Sequence, residues 1–137
     1  MLARPQRTNE SQGGRSNSRG LILLVDDDPA VLELLAEILR QEGYSVVTAR
    51  DGGQAQTVLR SQEVDLMITD LIMPNQEGIE TIQAVRQARP GLKLIAMSGA
   101  FNGPLLKAAR LLSADVALAK PISENDLLAS VEAVLAK

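Results

Sequence analysis

Short unbroken apolar runs alternate along this chain with longer stretches in which apolar residues recur every three or four positions. The runs are LILLV (21–25), YSVVTA (44–49), VDLMIT (64–69), LKLIAM (92–97) and VALA (116–119). Each has the length of a strand. The continuity of the first predicts burial on both faces, because a strand with one wet face alternates apolar with polar residues. Asp28-Pro29 supplies an N-cap and a first-turn proline. The helix that follows carries Val31, Leu34, Leu35, Ile38 and Leu39 as one stripe, and Gly43 is placed to end it. Asp51 with Gln54 resembles a capping box opening a second helix to about Gln62. A third helix carries Ile79, Ile82 and Val85 and stops before Pro90-Gly91; a fourth spans Leu105 to Leu112. Ser123 and Asp126 cap the last, whose apolar face is Leu127, Leu128, Val131, Val134 and Leu135.

Five strand-plus-helix units in succession predict an α/β fold. Parallel crossovers are right-handed and every apolar stripe must be covered, which places five helices on the two faces of one parallel sheet. For a chain of 137 residues the expected layout is the doubly wound strand order 2-1-3-4-5. Such sheets bind ligands beyond the carboxyl ends of their strands, near the point where the order reverses.

Composition narrows the chemistry. The length suits one domain, and nowhere do about 18 apolar residues run together as a membrane span requires. There is no Cys and no His, so thiolate nucleophiles, sulfur-ligated metals and the commonest general base are excluded. Carboxylate, hydroxyl, lysine and a hard oxygen-loving cation remain. Residues 1–20 are rich in Arg, Ser and Gly and are expected to be a disordered tail, leaving 21–137 as the domain. The tail holds four Arg against Glu10, so the −3 of the whole chain becomes −6 over the domain. An acidic body whose aromatics are Tyr44 and Phe101 is a poor nucleic-acid surface. With no secretory apolar stretch and no cysteine, a cytoplasmic location without membrane association is expected.

The residues at the expected strand ends are Asp26 and Asp27 after the first, Asp70 after the third, Ser98 after the fourth and Lys120 after the fifth. Strand two ends in Ala49-Arg50 and offers nothing comparable. Each residue has a plain structural explanation if taken singly. Asp28 is most simply an N-cap, Asp27 a turn or helix-dipole residue, Ser98-Gly99 a turn and Lys120 a solvated loop lysine. Jointly they carry more weight, because the proposed order places strands one, three and four side by side. Three carboxylates in one rim must take up a proton or be neutralised by a cation. With oxygen the available ligand type, Mg²⁺ is the natural candidate, with Mn²⁺ as its substitute.

At these positions the chain resembles the receiver domain of two-component response regulators, over essentially residues 21–137. The matching segments are LILLVDDDP, MITDLIMP, IAMSG and ADVALAKP, in order on the expected strands. The resemblance implies a CheY-like, flavodoxin-like fold in which Asp70 accepts a phosphoryl group from a sensor histidine kinase or phosphotransfer protein. It also implies that Asp26 and Asp27 bind Mg²⁺, with the Asp70 carboxylate and the Ile72 backbone carbonyl completing the protein ligands. Ser98 and Lys120 would contact phosphoryl oxygens. Such a domain is a phosphoacceptor that assists its own phosphorylation and dephosphorylation, not an enzyme acting on a separate substrate. With no output domain following Lys137, a stand-alone receiver acting on a downstream protein target is expected.

The chain also departs from the family pattern. Many receivers carry Tyr or Phe three residues before the lysine, where this chain has Ala117. The face built from the fourth helix, fifth strand and fifth helix is therefore expected to change less, or differently, on phosphorylation, with Phe101 a candidate substitute. Ile72 and Ala100, flanking the phosphoryl site, are apolar and position no water, so a long-lived acyl phosphate is expected. Two rival readings stand beside this one. The first is a receiver-like module that signals by binding alone. The second is a haloacid-dehalogenase-like phosphatase using the Asp26-x-Asp28 spacing, although Ala30 and the short chain fit that family poorly.

Overall fold

The computed structural model of the chain describes residues 18–71, 77–99 and 114–137. Five parallel strands, β1 (Leu21–Val25), β2 (Ser45–Ala49), β3 (Leu66–Asp70), β4 (Lys93–Ser98) and β5 (Val116–Ala119), form one sheet in the order β2-β1-β3-β4-β5. Four helices are present among the described residues: α1 (Pro29–Gln41), α2 (Gly52–Ser61), α3 (Glu77–Ala88) and α4 (Glu124–Leu135). The helix expected over Leu105–Leu112 lies outside them, as do Ile72, Ala100, Phe101 and the side chain of Ile79.

The unbroken β1 run has the cause inferred from sequence. Leu21, Leu23 and Val25 pack with Ala55, Leu59, Ile82 and Val85 of α2 and α3 on one face. Ile22 and Leu24 pack with Leu35, Leu39, Leu127 and Val131 of α1 and α4 on the other. Within α1 the buried positions are Leu32, Leu35, Ala36 and Leu39, and Leu34 is 61% exposed. This corrects the expected stripe. At about 100° per residue, Leu34 lies nearly opposite the middle of the buried face, while Val31 and Ile38 fall on its margin.

The capping signals act as their chemistry requires. Asp28 accepts from the Ala30 N–H at 2.9 Å, and Ser123 from the Asp126 N–H at 3.0 Å. Asp51 accepts from the Gln54 N–H at 2.8 Å, and the Gln54 side chain accepts in return from the Arg50 N–H, one residue before the cap. Helix α1 ends in a Schellman arrangement, with the Gly43 N–H donating to the Arg40 carbonyl and the Tyr44 N–H to that of Leu39. Gly43 has φ +98°, which explains glycine there.

Two aspartates set where strands begin. The Asp65 carboxylate accepts from the Leu21 N–H and that of Asp115 from the Leu94 N–H, each at 2.8 Å. They pin the N-terminal pole of the sheet, and β3 starts at Leu66, two residues later than the apolar run predicts. The opposite pole extends further than expected: β3 pairs Asp70 with Met97, and β4 pairs Ser98 with Ala119. Both polar residues are therefore the last residues of strands rather than loop residues after them.

Helices α2 and α3 meet where Gly52 faces buried Thr81. A Cβ at Gly52 would sit 2.1 Å from the Thr81 hydroxyl oxygen. Thr81 is β-branched and 2% exposed, so its rotation cannot relieve the clash cheaply. Gly52→Ala is expected to cost about 1–3 kcal/mol in denaturant unfolding. Adding Thr81→Ala should recover part of that loss; equal stability of the single and double variants would show that some other contact sets the cost.

Candidate functional site

The carboxyl pole gathers the polar residues singled out in the sequence. Val25 is level with Thr69 across β1 and β3, which brings the next residues, Asp26 and Asp70, to the same height. The register of β3, β4 and β5 then steps outward to Ser98 and Lys120. Asp26 is 1% exposed, Asp70 4% and Ser98 0%, whereas Asp27 is exposed. One carboxylate oxygen from each of Asp26, Asp27 and Asp70 lies within 4.8 Å of the others.

Lys120 reaches into this acidic group on its long stem. Its Nζ donates to Asp26 Oδ2 at 2.6 Å and to Asp70 Oδ2 at 2.9 Å. Its backbone N–H continues the sheet ladder to the Ser98 carbonyl at 2.9 Å. The following Lys120–Pro121 peptide is cis. The other Asp26 oxygen accepts from the Asp28 N–H at 3.0 Å, fixing that carboxylate from both sides. Burial, the largest single influence, pushes the Lys120 pKa down. The hydrogen bonds and negative charges of Asp26 and Asp70 together outweigh it, and the net shift is upward.

Five of the six expected site residues thus have a definite place. Asp26, Asp27, Asp70 and Lys120 converge, and Ser98 is buried at the end of the adjoining strand. The Ile72 carbonyl expected among the metal ligands lies outside the described residues, as do Ala100 and Phe101. Ala117 is a half-buried β5 residue paired with Ala96. The Asp28 carboxylate caps α1 and is thereby accounted for, which weakens the Asp26-x-Asp28 phosphatase reading. Three close oxygens and no softer donor suit a hard divalent cation, so the residues fit the Mg²⁺ expected here.

The family profile of the response regulator receiver domain matches residues 22–132. The chain belongs to this family. Receiver domains of this kind are parts of two-component systems. Among curated relatives, the transcriptional regulatory protein CpxR of Escherichia coli is 39% identical over 116 residues, covering 83% of this chain and 48% of the relative. The DNA-binding response regulator MtrA of Mycolicibacterium smegmatis is 33% identical over 117 residues, covering 85% of this chain and 51% of the relative. The chain therefore spans about half the length of these curated relatives. Among solved structures, the CheY-like receiver domain protein of Methanospirillum hungatei superposes with a TM-score of 0.81 at 31% identity, covering 85% of this chain and 94% of that one. A response regulator receiver protein of Pseudomonas putida gives 0.80 at 31% identity, with 85% and 98% covered. The receiver has no helix among the described residues long and apolar enough to cross a membrane.

Sequence reasoning misses several structural residues of the receiver. It does not single out Asp65 or Asp115, although an Asp immediately before an apolar run is a signal that finds both. Composition places Ser18, Arg19 and Gly20 in the tail, yet they are bonded to the domain. The Arg19 N–H donates to the Gly43 carbonyl, and the Gly20 carbonyl accepts from the Ser45 N–H, each at 2.9 Å. Ser18–Gly20 thus make contacts with the domain that composition does not announce, and residues 1–17 lie outside the described residues. Composition conceals this because the contacts are hydrogen bonds and ion pairs rather than apolar burial.

Proposed function

We infer that this receiver takes a phosphoryl group on Asp70 from the phosphohistidine of a sensor kinase or phosphotransfer protein and signals by phosphorylation-dependent binding to a partner protein. The observation that carries the reading is the convergence of Asp26, Asp27 and Asp70 with Lys120 Nζ. A carboxylate oxygen of Asp70 attacks phosphorus, the bond from phosphorus to the histidine nitrogen breaks, and the imidazole leaves; the product is an acyl phosphate. Mg²⁺, held by Asp26, Asp27 and Asp70, would supply positive charge for the phosphoryl oxygens. Lys120 supplies a second positive charge already directed at Asp70. Ser98, at the end of the neighbouring strand, donates its hydroxyl to a phosphoryl oxygen once one is present.

These contacts differ between free and phosphorylated Asp70, so the modification has the differential free energy needed to favour a second arrangement of the surrounding segments. In this reading the domain is a phosphoacceptor that assists its own modification and demodification, not an enzyme with an external substrate. The test is to incubate the full chain with acetyl phosphate and Mg²⁺, trap the acyl phosphate by borohydride reduction and map the modified residue. Modification at Asp70 supports the reading. Modification at Asp26 would favour the phosphatase chemistry, and none would favour a module that acts by binding alone. Because the side chains of Ile72 and Ala100 offer no polar group to orient water, the acyl phosphate should be long-lived for its class; decay within seconds would contradict this.

A further inference from the structure

The pole opposite the carboxylates carries a connection outside the segment that the family profile matches, which begins at residue 22. Arg19 lies across the turn between α1 and β2. Its guanidinium carbon stands 4.7 Å from the centre of the Tyr44 ring, and its Nη1 donates to the Glu42 carbonyl at 3.1 Å. The same group pairs with the Glu42 carboxylate at 3.8 Å and with Glu132, on the last turn of α4, at 3.4 Å. The aliphatic stem of Arg19 packs on Gly43, where a Cβ would meet it at 3.1 Å. Ser18 adds its hydroxyl, which accepts from the Ser45 N–H at 3.1 Å.

We propose that Ser18–Gly20 form a strap that fastens the C-terminal end of α4 to the α1–β2 turn through Arg19. One planar cation serves two elements remote in sequence, stacking on Tyr44 while bridging Glu42 and Glu132. A planar guanidinium with several N–H donors suits all of these contacts at once, whereas an ammonium is a compact, strongly hydrated charge that meets them less well together. Without Arg19, the Glu42 and Glu132 carboxylates lose the cation that they share. The strap stands at the amino-terminal ends of the strands, away from Asp70. Apolar packing holds α4 to the sheet through Leu127, Val131 and Val134, so the strap governs the end of the helix rather than its attachment.

The test is amide exchange of the full chain in three forms: unaltered, Arg19→Ala, and Glu42→Gln with Glu132→Gln. Both altered forms should exchange at least about fivefold faster over Val131–Leu135 and at Tyr44, with Leu23 and Ile68 in the sheet unchanged. Arg19→Lys should fall between. Tryptic cleavage of the Arg19–Gly20 bond should be at least about fivefold faster in the double Glu variant than in the unaltered chain. Unchanged exchange and cleavage, with the sheet amides still protected, would overturn the strap. Were Arg19→Ala to unfold the domain, the Arg19→Lys and Glu variants would decide the matter in the same way. None of these readouts involves phosphorylation.

Discussion

Asp70→Asn is expected to reduce phosphoryl incorporation from acetyl phosphate at least a thousandfold, about 4 kcal/mol of barrier, while leaving the fold intact or firmer. An amide of the same shape can still accept from Lys120 but cannot form an acyl phosphate. Stability should move the other way. The carboxylates of Asp26, Asp27 and Asp70 have oxygens within 4.8 Å of one another and repel, and only Asp26 and Asp70, the two buried ones, share the Lys120 ammonium. At an effective dielectric near 20, each such repulsion is worth about 3 kcal/mol before relaxation, and removing one also removes part of the attraction to Lys120. A net gain of about 1 kcal/mol in urea unfolding with EDTA present is expected. Mg²⁺ should stabilise the unaltered chain and have little effect on Asp70→Asn; at ten times its dissociation constant a ligand adds about 1.4 kcal/mol. Undiminished labelling of Asp70→Asn would remove Asp70 from the mechanism, and a stability loss of several kcal/mol would show that its charge holds the fold together.

Lys120→Met should have the largest effect on stability. The methionine fills a similar volume, but Asp26 and Asp70, 1% and 4% exposed, lose the cation that bridges them. Removing one partner from such a group costs about 3–5 kcal/mol when burial is complete; Lys120 is 23% exposed along its side chain, so about 2–3 kcal/mol is expected here. The pH dependence has a fixed sign. Because the folded pKa of Lys120 is raised, its contribution is fully present below the ordinary lysine value of 10.5 and is lost as pH rises through the higher folded value. The stability difference between the two proteins should therefore be flat from neutral pH to about 9 and shrink in strong alkali. Saturating Mg²⁺ should narrow the gap as well, since a divalent ion offsets the same negative charge. A difference that disappears near neutral pH would place Lys120 elsewhere than between the two aspartates.

The strand and helix succession was legible because each element is defined by a periodicity of its own residues. The run at 21–25 and the caps at Asp28, Asp51 and Ser123 are local chemistry, and local chemistry survives folding unchanged. The rim that the polar residues at the strand ends share was legible for a related reason. In a parallel sheet the strand order determines which carboxyl ends are neighbours, so Asp26, Asp70, Ser98 and Lys120 could be placed on one rim without coordinates. Strand limits were not legible, because Asp70 and Ser98 join their strands through partners on β4 and β5 that are distant along the chain. The orientation of α1 likewise depends on what lies beneath it: Leu34 fits the helical period as well as Leu32 does, and only packing against the sheet and α4 decides between them.

What the sequence determined by itself was the order of elements, the donor types available to a site and the rim on which they meet. Tertiary structure alone decided that Lys120 stands between two buried carboxylates, that Leu34 rather than Leu32 faces away from the core, and that Arg19 lies over Tyr44. The physical reason is common to all three. Hydrophobic periodicity records burial as a property averaged over an element, whereas a particular contact depends on two groups meeting within a few ångströms, about 3 Å for a hydrogen bond, and that distance is set only when separate elements have packed.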